Sequence, residues 1–323
     1  MDTQPFYTAA IDGLFGSFPT DADSLWVMLI GSLVGASCAL VGTFMILRRL
    51  SMLGDAISHA VLPGIVFAFL LTGSRNIVPM LIGAGALGLL TAFLTDSLHR
   101  YGKLQSDASI GVTFTWLFAV GVILISKFAG QVDLDTDCVL YGEIIFAPLD
   151  VLIIGDNEYG PRAVWMLGGV TLANLLFVVL GYKQLKVCAF DPELAASLGI
   201  KVALWHYLLM GFVSMTTVGA FESVGAILVV AMLVVPPNTA YLLTDRLGVM
   251  IGLAVFFGVL SAVLGYWIAY WLDASVAGAM ATVSGLLFFV VALASPRHGV
   301  IGRSIAQRRA ARSMSEVAES AST

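Results

Sequence analysis

Nine runs of roughly 20 mostly apolar residues follow one another along this chain. At about 1.5 Å rise per residue, each has the length of a bilayer-crossing helix. The runs are continuous rather than alternating, which argues for helices and against a membrane β-barrel. Composition agrees. Hydrophobic residues make up 59% of the 323 residues and charged ones 11%, where a soluble domain carries about 25% charged residues. The expected fold class is therefore an all-α polytopic membrane protein. Soluble enzymes and nucleic-acid binders are excluded on the same grounds.

The expected spans run from Leu25 to Leu47, Met52 to Leu71, Val78 to Thr95, Ala108 to Phe128, Ala163 to Tyr182, Val202 to Val218, Val224 to Leu243, Leu247 to Leu272 and Ser275 to Ala294. A tight turn at Phe221-Glu222-Ser223 joins the sixth and seventh. Pro236 and Pro237 predict a kink or re-entrant break within the seventh. Basic residues orient the set. With the N-terminus outside, 13 of the 16 Lys and Arg residues face the cytoplasm, five of them in the tail after Pro296. Fusing the sixth and seventh runs gives eight spans and moves that tail outside, so nine is preferred. The division is then an extracytoplasmic tail, 1–24, a membrane domain, 25–295, and a cytoplasmic tail, 296–323. The first 24 residues hold four aspartates and no Lys or Arg, unlike a cleavable signal peptide. Cys38, Cys138 and Cys188 have no metal-cluster or disulfide spacing.

Asp55 and His59 stand four residues apart in the second run, on one face of a helix. Ionisable groups inside a membrane are costly and mark a pathway or site. A carboxylate and an imidazole are ligands for a divalent transition metal, but one helix supplies only two. A two-fold or related subunit pair brings four together. The bland alternative is a hydrogen-bonded polar tie between helices. Pro63, one turn on, removes a backbone bond and allows flexing there.

Asp191-Pro192-Glu193-Leu194-Ala195-Ala196-Ser197-Leu198-Gly199 carries helix syntax: N-cap Asp, Pro at the first position, Glu for the dipole, Gly past the end. It is either an ordinary loop helix or a docking helix for a cytoplasmic motor subunit. The phosphate-binding pattern G-x-x-x-x-G-K-[ST] is absent from the sequence. Gly83-Ala84-Gly85-Ala86-Leu87-Gly88 matches G-x-G-x-x-G, but within an apolar run it reads as packing glycines, as do Gly31 and Gly35 in the first run. The stretch from Ala129 to Arg162 is acidic: a solvated loop, a cation funnel or a docking surface. Asp133, Asp135 and Asp137 lack the glycine and glutamate of a calcium loop. Glu222 is a candidate outer-gate residue. His99, His206 and His298 are expected to be interfacial or in the tail.

The basic pair followed by Ser51-Met52-Leu53-Gly54-Asp55-Ala56-Ile57-Ser58-His59-Ala60-Val61-Leu62-Pro63-Gly64-Ile65, together with Asp191 to Ile200, resembles the permease subunit of ABC-type zinc, manganese and iron importers. The resemblance covers Leu25 to Ala294. Leu134 to Asp150 is similar to the manganese branch. The resemblance implies a type II importer fold in the bacterial cytoplasmic membrane, with no enzymatic activity of its own. It implies a second permease subunit, identical or paralogous, a pair of cytoplasmic ATP-binding subunits, an extracytoplasmic metal-binding protein and surrounding lipid. Asp55 and His59 would line the path of a transported Mn, Zn or Fe ion, with no permanently bound cofactor. Asp191, Pro192, Glu193 and Gly199 would belong to the coupling helix. Rival readings are a metal-chelate or vitamin permease and an ion-coupled secondary transporter.

Overall fold

The structure, a computed structural model, describes residues 22–72, 77–128, 144–154 and 157–295. The N-terminal tail, the C-terminal tail after Ser295 and Asp133, Asp135 and Asp137 lie outside the described residues. Long helices dominate: α1 Ala22–Leu47, α2 Ser51–Thr72, α3 Ile77–Tyr101, α4 Ser106–Phe128, α5 Arg162–Leu180, α8 Val202–Val224, α9 Ala226–Leu243, α10 Leu247–Leu272 and α11 Val276–Ala294. Two short helices, α6 Tyr182–Phe190 and α7 Pro192–Ser197, connect α5 to α8. Among the described residues, seven helices are both long and apolar enough to cross a membrane: α1, α4, α5, α8, α9, α10 and α11.

α1 is the hub. Of its most apolar window, 67% is buried, against 22–50% in the other six. It packs on α5, α8, α9 and α10, while α2, α3 and α4 pack mainly on one another. Lipid tails are as apolar as leucine, so helices associate here through close packing rather than water exclusion. Glycines set the approach. A Cβ on Gly35 would lie 2.8 Å from the Gly258 backbone of α10, and one on Gly31 would lie 2.9 Å from the Met280 side chain of α11. Gly42 admits the Leu233 carbonyl of α9, the group that loses its helical donor because Pro237 has no N–H. Of the third-run glycines, Gly83 packs on Gly64 and Ala68 and Gly88 on Ser214 and Ile57, whereas Gly85 faces open space.

Polar ties add to this. Asn174, fully buried in α5, donates through Nδ2 to Thr216 Oγ1 of α8 at 2.7 Å and to the Ser37 carbonyl of α1 at 3.3 Å. Such bonds between membrane helices contribute about 0.6 kcal/mol on average. Contacts near helix ends sort the ends into two sets. Tyr266 donates to Ser24 and Gly160 lies against the Trp26 ring. At the other end Tyr207 donates to Asp96 and Ser295 to the Leu242 carbonyl.

Three expectations are corrected. The break between α8 and α9 is one residue, Gly225 (φ 79°, ψ 167°), not Phe221-Glu222-Ser223, which remain helical. That conformation belongs to the left-handed side that glycine adopts without a Cβ penalty. Helix α9 continues through Pro236 and Pro237 with no re-entrant break, because neighbouring helices cover freed backbone groups. The outer stretch is not all loop: Val151–Ile154 (β1) and Asn157–Pro161 (β2) pair as an antiparallel hairpin.

Gly35→Ala is predicted to force α1 from α10 and destabilise the protein by about 1–3 kcal/mol. Thermal unfolding in detergent reads this as a lowered midpoint. Gly168→Ala, whose Cβ would meet open space, should leave the midpoint unchanged.

Candidate functional site

Helix α1 ends on the basic pair. Arg49 adopts φ 58°, its N–H donates to the Ile46 carbonyl at 2.9 Å, and the Leu50 N–H reaches the Met45 carbonyl at 2.9 Å. This pair of bonds is the Schellman ending, with arginine in the left-handed position usually held by glycine. Leu50 packs on the core beside it. The chain turns here and enters α2 at Ser51.

The first turns of α2 are clamped. Leu53, Ala56 and Ile57 are buried, and Gly54 meets the Leu233 side chain of α9 with no room for a Cβ. Met52 is 61% exposed. Asp55 lies three residues on along that open side and is half-buried. His59 follows one turn later on the same face, although its side chain lies outside the described part of the structure. Pro63 is buried. A Cβ on Gly121 of α4 would stand 2.8 Å from its ring, and α2 continues through it. Pro63 has no N–H for the His59 carbonyl four residues back, which leaves one backbone oxygen without its ladder donor beside the Asp55–His59 face. Glu222 is helical near the end of α8, and its side chain also lies outside the described part.

The α7 syntax is realised in the structure. Asp191 Oδ1 accepts from the Leu194 N–H at 2.9 Å, with Pro192 at the first position and Glu193 in the first turn. Gly199, at φ 78°, closes the helix. Its N–H donates to the Ala196 carbonyl at 3.0 Å, and the Ile200 N–H donates to the Ala195 carbonyl at 3.0 Å, a second Schellman ending. Ala195 is fully buried, whereas Phe190, Leu194 and Leu198 are 59%, 48% and 63% exposed. This short helix is rigidly capped and presents an apolar strip outward.

The sequence gives no hint of the link between these two regions. Arg48 Nη1 lies 3.1 Å from His206 Nδ1 of α8, 158 residues away. The geometry has Arg48 donating to a neutral ring with Nδ1 as acceptor. Burial pulls the Arg48 guanidinium below its ordinary range, with Cys188 of α6 opposing more weakly. Burial likewise pushes the Cys188 thiol up, opposed by Arg48. The elbow into α2 is thus tied to α8 through Arg48, while α6, which leads directly into α7, packs on α1. Asp96 of α3 joins the same end: it accepts from Arg100 Nε at 2.9 Å and from the Tyr207 hydroxyl at 3.4 Å. His99 Nδ1 lies 2.8 Å from the Leu104 carbonyl in an exposed turn. Among the described residues, groups of three or more His, Cys, Asp or Glu side chains placed to hold a metal are absent. Asp55 and His59 are two side chains, fewer than the four ligands of a closed metal shell.

Comparison with known proteins adds an independent line. Residues 23–295 match the ABC 3 transport family. The chain is 52% identical over 280 residues to the manganese transport system membrane protein MntD of Bacillus subtilis, covering 87% of this chain and 95% of that one. It is 44% identical over 282 residues to the zinc transport system membrane protein TroD of Treponema pallidum, covering 87% and 77%. Among solved structures, PsaBC from Streptococcus pneumoniae in complex with Fab superposes with a TM-score of 0.72 at 34% identity, covering 91% of this chain and 98% of that one.

Asp191→Ala is predicted to cost about 1 kcal/mol of α7 stability through loss of its cap. Amide hydrogen exchange at Leu194 should speed up about fivefold, while exchange in α8 is unchanged.

Proposed function

This chain belongs to the ABC 3 transport family, and on that premise we propose that it is the permease subunit of an ATP-driven importer of divalent metal ions, with manganese the favoured cargo. It is a transport permease of the bacterial inner membrane, and ATP hydrolysis lies on a separate subunit. The proposed division is an extracytoplasmic tail, 1–24, a nine-span domain, 25–295, and a cytoplasmic tail, 296–323. Nine spans require α2 and α3 to cross as well; their 22 and 25 residues are long enough.

The observation that carries the reading is the asymmetry of α2. One side is locked against α9 by Gly54 and Leu233, and the side bearing Asp55 is left partly open. A carboxylate on an open helix face, with an imidazole one turn on, is half of a metal site that a second permease subunit completes about a two-fold axis. The dication is cargo. It meets oxygen and nitrogen ligands in turn and leaves when the faces separate. The MntD and TroD names support manganese or zinc, and the higher identity is to the manganese protein.

Helix α7 would dock the ATPase. Its exposed Leu194, with Phe190 at the end of α6 just before it and Leu198 just after it, suits an apolar pocket in that partner. Motion of α7 would pass through α6 and α8 to Arg48, and through the Arg48 elbow to α2. Pro63 would be the point where α2 bends, and Glu222 would lie at the outer gate. The acidic outer stretch would face a metal-delivery protein.

Asp55→Ala and His59→Ala are each predicted to abolish 54Mn uptake in cells while the complex still assembles. Normal uptake by either variant removes that residue from the path. Imidazole binds metal only when neutral, so wild-type affinity should fall as pH drops toward about 6. Failure of free Mn²⁺ to compete would favour the chelate permease, and uptake by ATP-free vesicles would favour the secondary transporter. Arg48→Gln is predicted to lower uptake at least about tenfold, matching the loss of a ~1.5 kcal/mol charged hydrogen bond, while ATP hydrolysis by the complex persists. Parallel loss of both would contradict a transmission role.

A further inference from the structure

A cavity of about 570 Å³ opens between α5 and α10, with Leu40 of α1 as its floor. Its volume is that of a ligand site. Leu175, Val179 and Leu180 of α5 form one wall, and all three are exposed on the outer surface of the bundle. Tyr182, Lys183 and Gln184 of α6 form the mouth at the cytoplasmic end. The cavity is apolar in depth and polar at one rim, the profile of a lipid rather than of an ion.

Charge points the same way. Lys183 lies at the rim, Lys186 is one turn on in α6, and Arg246 immediately precedes α10. Asp245, beside Arg246, already interacts within the chain. Gln184 Oε1 is buried with no hydrogen-bond partner, an acceptor awaiting a donor. Because α5 and α10 flank α1 while α2 packs on α3 and α4, this groove lies away from the Asp55 face and does not depend on the reading of that face.

We infer that the α5–α10 groove binds one anionic glycerophospholipid of the inner leaflet, with its acyl chain along Leu40, Leu175 and Val179, its phosphate at Lys183 and a headgroup hydroxyl donating to Gln184 Oε1. Basic pockets between membrane helices on the cytoplasmic side recognise such headgroups. The lipid would brace α6, and through it the connection to α7.

The test uses the full-length chain in nanodiscs of equal phosphatidylglycerol and phosphatidylcholine, followed by mild extraction and native mass spectrometry. Wild type should retain one phosphatidylglycerol per chain, preferred about fivefold over phosphatidylcholine. Lys183→Gln should bring that ratio near one, and Lys183→Arg should restore it. Gly248→Leu should reduce retention of both lipids by filling the groove; a Cβ there meets only the Tyr182 hydroxyl, at 3.5 Å, so folding is preserved. An equal lipid ratio in wild type and Lys183→Gln overturns the inference. So does undiminished retention in Gly248→Leu, or a lipid-free dimer in which a second copy fills the groove.

Discussion

The contact between Gly35 and Gly258 brings two backbones together at the centre of the bundle, with each glycine leaving room that a Cβ would fill. Everything else is placed from there. In lipid, dispersion at short range takes over the role that water exclusion has in soluble proteins. A helix can act as a hub only if its surface is shallow enough for several neighbours to approach at once. α1 achieves this with Gly31 toward α11, Gly35 toward α10 and Gly42 toward α9. Asn174 then ties α5 and α8 to it.

The hub also positions chemistry that it does not itself carry. Its C-terminal elbow at Arg48-Arg49-Leu50 sets the direction in which α2 departs, and hence the side that Asp55 faces. The same elbow meets His206, so the start of α2 and the start of α8 are joined through one arginine. α6 and α7 lie between the end of α5 and the start of α8. Under the proposed function, a push on α7 would be delivered close to the root of α2. The connection runs through polar groups and packed side chains at one end of the bundle.

Much of the fold was legible because it rests on local rules. Apolar length gave the long helices. Asp191, Pro192 and Gly199 announced α7 with its caps. Gly31 and Gly35 announced close packing without naming Gly258 or Met280 as the other side. The 151–161 hairpin carries a local signal too: Val151-Leu152-Ile153-Ile154 before Gly155-Asp156 has the pattern of a strand entering a turn, although the acidic residues around it read as loop. In the sequence, Pro236 and Pro237 point to a break because freed carbonyls need a partner or a local remedy, whereas Gly42 on α1 accommodates one of them. The polar residues point to a turn at Phe221-Glu222-Ser223, but backbone freedom, not polarity, decides where one helix ends and the next begins, and Gly225 has it.

What the sequence determined by itself was the inventory: an all-helical membrane chain, one acid and one histidine sharing a helix face, and a short capped helix between two long ones. These follow from spacing and from the cost of exposing polar groups to hydrocarbon, which act within a single segment. Only the tertiary structure decided that α1 is the hub, that Arg48 meets His206, that Gly54 presses α2 onto Leu233, and that a groove with a basic rim opens between α5 and α10. Each of these depends on side chains far apart in sequence and brought together by steric fit, and fit between surfaces is not encoded in the periodicity of either one.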